Sequence, residues 1–372
     1  MTRAVAYFGT YDPVYPRSAV TISGLRERGV AVYELRAPLP GLSAAEMATA
    51  SGAARLGAGL AAAHVTLLRK LRGRVPIDAI IIGYPGHFMV PLGRMAATLC
   101  RARLVFDPLV SLWDTFAGDR GLLDTRGCKS IVVRAIDEVA FRLPDLVLAD
   151  TQAHAAYYQE ALGVSRSHLA VVPVGALPVP EADGSARRLS ADEPLRVFQY
   201  GKWSPLHGAD TVVAAADLLR QESFRLVLAG EGQLSSSLRQ DIASRRLTNV
   251  EWLGSLSPAA LRAQALAADV CLGVFGRSDK AARVVPNKVF DGLRCGRPVV
   301  TADTRGVREF LTNGKDCLLV PVADPAALAA ALRALRDWSL RSRLGHGALD
   351  TYRRAFTPSA VAGTLLRALD AR

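Results

Sequence analysis

Residues 198–210 read F-Q-Y-G-K-W-S-P-L-H-G-A-D. An apolar run over 195–200 stops at a glycine, a turn containing Pro205 follows, and a helix is predicted to open near 208–210. Strand, glycine turn and helix in that order make the first half of a βαβ unit. The pattern recurs on both sides of this stretch. Towards the amino terminus, strands are predicted over 4–8, 31–35, 79–82, 104–106, 146–149 and 170–172, separated by helical periodicity over 18–28, 46–71, 91–100, 130–142 and 154–162. Towards the carboxyl terminus, strands over 195–200, 225–228, 250–252, 270–274, 298–301 and 317–320 alternate with helices over 210–219, 234–243, 258–267, 288–294 and 326–336. The tail from Trp338 is expected to be helical, broken near Gly345 and again at Pro358. Between the two series, residues 175–194 are rich in proline, glycine and charge, the signature of a linker. The fold class is therefore α/β, with two Rossmann-like domains: 1–176, a linker over 177–194, and 195–356, followed by a last helix over 357–372.

The composition of the 372 residues is that of ordinary globular proteins, and no apolar run reaches the ~20 residues that span a bilayer. The amino terminus reads as a first strand rather than a signal peptide, so the expected localisation is cytoplasmic. The five cysteines are widely spaced without a C-x-x-C pair, which excludes a disulfide framework and a zinc knuckle and predicts small buried residues. A net charge of +12 points to an anionic partner or to an arginine-rich proteome. Basic blocks interleaved with aromatics are missing, so nucleic acid is not expected as a partner.

In open parallel sheets, ligands lie beyond the carboxyl ends of the strands. The loops there carry the candidate residues, and a cleft between the two domains is the expected site. Gly201, Lys202 and His207 place cations beside helix-start N–H groups, a serviceable anion site. Gly230 and Glu231 belong to a G-E-G turn after the next strand, and Leu253 and Gly254 to the loop after the third, where a base can abut. The stretch 283–300, R-V-V-P-N-K-V-F-D-G-L-R-C-G-R-P-V-V, offers the backbone of Val284, Val285, Pro286 and Asn287, a lysine at Lys288 to neutralise phosphate, and Asp291 to accept ribose hydroxyls. The alternative for Asp291 is an ion pair with Arg294 or Arg297. In the first domain, Gly9 permits close backbone approach, Arg17 begins a helix on the acceptor side, and His87, Asp107 and Asp114 are candidate polar groups for an acceptor. His154 reads as a helix-face residue. Neither D-x-D nor metal-ligand histidine spacing occurs, so no metal and no cofactor are expected.

Residues 195 to about 335 resemble the retaining glycosyltransferases of family four, also called group one, which have the GT-B fold. The family's G-[RK]-x-x-x-x-K-G stands as G-K-W-S-P-L-H-G, its G-x-G as G-E-G-Q-L, and its glutamate-x7-glutamate segment as 283–300. The segment T-A-D-T-R-G-V-R-E-F-L-T-N-G-K-D-C-L-L-V-P-V-A-D is similar to the one that follows in the family. The second motif glutamate is Asp291, the first falls on Arg283, and the sequence is similar to a branch with P-N-K in its place. The second motif cation is His207, and the family's histidine after the fourth strand falls on or near Asp107.

The resemblance implies a metal-independent retaining transferase that moves a sugar from a nucleoside diphosphate to a hydroxyl acceptor. Lys202, Lys288, Asp291 and Asp107 are then its catalytic candidates, and the last helix is expected to cross back to the first domain. Two alternatives stay open: a GT-B nucleotide-sugar epimerase, and a catalytically silent partner of a true transferase. Finally, V-T-L-L-R-K-L-R-G-R over 65–74 sets Arg69, Lys70, Arg72 and Arg74 beside Val65, Leu67, Leu68 and Leu71. That is the composition of a peripheral element for an anionic membrane surface, with a lipid-linked or cell-envelope acceptor.

Overall fold

A computed structural model describes residues 3–37, 50–71 and 76–371. Among the described residues, twelve strands form two parallel sheets. The first contains β1 (Ala4–Gly9), β2 (Ala31–Arg36), β3 (Ala79–Ile82), β4 (Arg103–Phe106), β5 (Leu146–Ala149) and β6 (Leu169–Val171), in the order β2-β1-β3-β4-β5-β6. The second contains β7 (Leu195–Tyr200), β8 (Phe224–Ala229), β9 (Val250–Trp252), β10 (Val270–Leu272), β11 (Val299–Ala302) and β12 (Leu318–Val320), in the order β12-β11-β10-β7-β8-β9. Apolar runs such as Ala79–Ile82 are buried on both faces, as helix-covered parallel strands must be.

The chain divides into two compact units. One comprises residues 1–114, 123–173 and 358–372; the other comprises 115–122 and 174–357. The stretch 177–194 thus lies within the second unit. It is held there by Arg187, which pairs with Asp269, and by the buried Arg341, whose Nη2 donates to the Arg187 carbonyl. The last helix, Pro358–Asp370, belongs to the first unit, where Val361, Ala362 and Leu365 join Val20 and Leu25 in the core.

Gly345 does not break the tail: one helix runs from Trp338 to Ala355. The glycine serves close approach instead, since a Cβ there would lie 2.6 Å from the carbonyl oxygens of Gly184 and Gly296. The expected helix over 46–71 is observed as Ala50–Leu71, and residues 46–49 lie outside the described residues. Of the five free cysteines, Cys271, Cys295 and Cys317 are buried, but Cys128 is exposed. No helix among the described residues is long and apolar enough to cross a membrane.

Candidate functional site

Strand order in the second sheet reverses between β7 and β10, which opens a crevice beyond their carboxyl ends. The chain leaves β7 at Gly201. A Cβ at this position would stand 2.4 Å from His207 Nε2 and 3.3 Å from Lys288 Nζ, so backbone, imidazole and ammonium converge there. The turn that follows interlocks with the turn after β8. Gly230 has φ +119°, and a Cβ on it would meet the Gly201 carbonyl oxygen at 2.0 Å. A Cβ on Gly232 would strike the Lys202 backbone at 2.5 Å. Trp203 Nε1 closes the pair by donating to the Gly230 carbonyl at 2.8 Å.

His207 completes a capping box with Ser204. The Ser204 N–H donates to Nδ1 at 3.2 Å, which leaves the neutral ring's proton on Nε2, beside Gly201. Burial, followed by the charge of Lys288, holds its pKa well below the usual histidine value. His207 therefore supplies a hydrogen-bond donor at neutral pH. This corrects the sequence expectation of a second cation.

Lys288 lies in the first turn of the helix Asn287–Arg294 and is 5% exposed. Burial pulls its pKa down to about 7, against the opposing pull of Asp291. Its Nζ stands 5.9 Å from the centre of the Tyr200 ring, and no ion pair reaches it among the described residues. Asp291 is engaged at both oxygens: Tyr200 Oη donates to Oδ2, and Arg294 Nη2 pairs with Oδ1 at 2.7 Å. The ion-pair alternative for Asp291 is thus the one formed, and burial raises its pKa.

The other second-unit candidates divide by exposure. Lys202 is exposed. Glu231 takes Arg239 and Trp252 Nε1 as partners, and a Cβ on Gly254, which has φ +58°, would lie 3.6 Å from its Oε1. The Leu253 N–H continues the ladder by donating to the Leu228 carbonyl. Val284 and Val285 are buried, and the Val284 N–H already donates to Lys280, so this backbone is less free than its sequence suggested. Pro286 caps the helix that Asn287 begins.

In the first unit, Arg17 and Asp107 are partners of each other. Arg17 Nε donates to both carboxylate oxygens at 2.9 and 2.8 Å, and each side chain is 1% exposed. Nη1 donates to the carbonyls of Val172 and Pro173. This corrects their separate expectation as acceptor contact and catalytic group, since ninety positions of sequence concealed the pairing.

His87 donates from Nε2 to the Val110 carbonyl at 3.0 Å, and burial lowers its pKa to about 4. Asp114 is buried, with its N–H on Ser111 Oγ. Gly9, with φ +119°, ends β1, and a Cβ on it would lie 3.3 Å from Met89 Cγ. Asp137 escaped the sequence reading. It accepts from Ser111 Oγ and from the N–H groups of Leu112 and Trp113, and so anchors the loop after β4. A carboxylate on the apolar face of a predicted helix was its one signal. His154 lies on the helix Gln152–Leu162 as read, fully buried and bonded to Asp150 at 2.6 Å.

On the helix Ala50–Leu71 the expected apolar stripe divides. Leu67 enters the core, while Val65 and Leu68 are 49% and 37% exposed. Lys70 donates to the Arg36 carbonyl, Arg69 is exposed, and Arg72 and Arg74 lie outside the described residues. Among the described residues, no group of three or more His, Cys, Asp or Glu side chains is arranged to hold a metal ion.

Comparison with known proteins adds relatives to this geometry. The chain is 28% identical over 240 residues to a D-inositol 3-phosphate glycosyltransferase of Acidothermus cellulolyticus, covering 59% of this chain and 52% of that protein. It is 35% identical over 85 residues to the lipopolysaccharide core biosynthesis glycosyltransferase LpsD of Rhizobium meliloti, covering 23% and 25%. The chain spans between 25% and 58% of the length of the curated relatives it matches. Among solved structures, Anabaena HepE in complex with UDP and glucose is similar over 100% of both chains, with TM-score 0.67 and 15% identity. Sucrose-phosphate synthase of Thermosynechococcus elongatus is similar over 99% of both, with TM-score 0.68 and 18% identity. Those likenesses give a GT-B fold. Residues 195–337, which contain the turn 201–208 and the helix of Lys288, match the family model of the glycosyl transferases group 1.

Proposed function

We propose that the protein transfers a glycosyl group from a nucleoside diphosphate sugar to a hydroxyl acceptor, with retention and without a metal ion. The observation that carries the reading is Lys288, a buried ammonium beside Gly201 and the Nε2–H of His207, in the segment that matches the family model. In the reaction, the bond from the anomeric carbon to the phosphate oxygen breaks. The acceptor oxygen bonds to that carbon on the same face, and its proton passes to the leaving phosphate. Charged Lys288 and the His207 N–H offset the charge that grows on the diphosphate, with exposed Lys202 at the rim. A protein ammonium in that position supports chemistry that needs no divalent cation. The structures of Anabaena HepE with UDP and UDP-glucose make UDP-glucose the first donor to try.

The acceptor is proposed to be lipid-linked or part of the cell envelope. The helix Ala50–Leu71 supports this, since it carries exposed Val65, Leu68 and Arg69 and no carboxylate. The experiment is a thermal-shift screen of UDP-, GDP-, ADP- and TDP-sugars, followed by turnover of the ligand that stabilises the protein, with and without EDTA. Stabilisation and EDTA-insensitive turnover are expected. Loss of turnover in EDTA overturns metal independence, an epimer formed from donor alone indicates an epimerase, and tight binding without turnover indicates a silent partner.

A further inference from the structure

Residues 115–122 interrupt the first unit's sequence yet belong to the second unit. Side-chain hydrogen bonds hold them there. Lys280 Nζ donates to Thr115 Oγ1 at 2.6 Å, Ser278 Oγ donates to Asp119 Oδ1 at 2.8 Å, and Gln233 Nε2 donates to the Arg120 carbonyl at 3.1 Å. Gln233 directly follows Gly232 of the interlocked turns, and Ser278 caps the short helix Asp279–Arg283 that precedes the stretch of Lys288. The segment is also closed on itself, with the Arg120 N–H on Thr115 and the Leu122 N–H on Phe116.

The backbone of Arg120 is thus fixed by the residue next to the turn after β8, and its neighbours Asp119 and Thr115 by Ser278 and Lys280. Its guanidinium is half-buried and takes no hydrogen bond or ion pair among the described residues. Its charge reaches the His207 ring: after burial and Lys288, and against the Ser204 hydrogen bond, Arg120 helps keep that imidazole neutral. Two cations, Lys288 and Arg120, therefore act on one neutral histidine. Of the carboxylates nearby, Asp291 is engaged by Arg294 and Asp119 by Ser278. Like charges in such surroundings repel, and a dianion is the ligand that offsets them.

We propose that Arg120 is the second phosphate-binding cation of the donor site, brought to it by residues 115–122 and filling the role that neutral His207 does not. This rests on the proposed nucleotide-sugar reading. A guanidinium suits the place, because it stays charged and can grip two phosphate oxygens at once.

The test is calorimetric binding of UDP, inorganic pyrophosphate and uridine to the full chain, as wild type, Arg120→Ala and Arg120→Lys. We expect Arg120→Ala to weaken UDP and pyrophosphate by about 30-fold, the scale of a lost charge-assisted pair, with uridine unaffected and Tm unchanged. Arg120→Lys should recover part of the loss. Equal affinity of wild type and Arg120→Ala for both anions overturns the proposal. Pyrophosphate binding that depends on Arg120, in a protein that binds no nucleotide sugar, keeps the anion site and removes the transferase reading. A wild type that binds neither anion overturns both.

Discussion

The carboxyl edges of the two sheets differ in how they dispose of charge. At the first, three buried carboxylates have partners: Asp107 takes Arg17, Asp137 takes three donors from the loop 111–113, and Asp150 takes His154. At the second, Lys288 is buried with no ion pair among the described residues, and burial brings its pKa down to about 7 against the pull of Asp291. An internally matched charge holds the fold together, whereas an unmatched one is a cost to the folded chain that a ligand can repay. The lesson is that burial alone does not distinguish a structural charge from a binding one; the partner does.

The largest effect expected from breaking this contrast is at the first edge. Asp107→Asn strands the guanidinium of Arg17 in the interior and should cost about 3–5 kcal/mol of stability, read from urea unfolding. A loss below 1 kcal/mol would mean that water or a shifted side chain replaces the pair. At the second edge the same kind of change should act the other way. Lys288→Met removes an unmatched buried charge, so stability should hold or rise, while kcat/KM for the donor falls by about 10²-fold or more. A variant that loses stability and keeps activity would reverse the assignment of the two edges.

A smaller effect is expected from pH. The Lys288 pKa is lowered on folding, from 10.5 to about 7, so above pH 7 the unfolded chain binds the extra proton and stability should rise with pH towards the ordinary lysine value. Diphosphate binding favours the charged lysine and has the opposite slope: affinity should fall above pH 7, by at most about tenfold per unit. Titration of UDP from pH 6 to 9 checks this, and Lys288→Met should flatten the curve. A slope that survives the substitution would assign the titration to another group.

Smallest is the effect of the exposed helix face. Neutralising Arg69 and Lys70 should weaken sedimentation with anionic liposomes at low salt by about 1 kcal/mol per charge. No binding by the unmodified chain would point to a soluble acceptor.

The twelve strands were legible because buried parallel strands are short β-branched runs between turns, and 79–82, 146–149, 195–200 and 250–252 are observed with the bounds read from sequence. Gly345 was misread because a glycine that breaks a helix and one that admits a neighbouring carbonyl are the same letter; only the approach of Gly184 and Gly296 tells them apart. The residues around Lys288 were visible as a motif, but their charge state was not. That His207 is neutral follows from burial and from Lys288, which lies eighty-one positions away. The role of residues 115–122 left no local mark at all, since the bonds from Gln233, Ser278 and Lys280 all come from more than a hundred positions further on.

The last helix gives the molecule an order of manufacture. Helix Pro16–Glu27 meets helix Pro358–Asp370 so closely that a Cβ on Gly24 would lie 1.9 Å from the Pro358 carbonyl oxygen. Val20 and Leu25 are covered in part by Val361 and Leu365, more than three hundred positions further along the chain. While the chain is being made, the first unit therefore carries an uncovered apolar strip throughout synthesis of the second. The unit whose first residues are translated first is completed only after the second unit has been made.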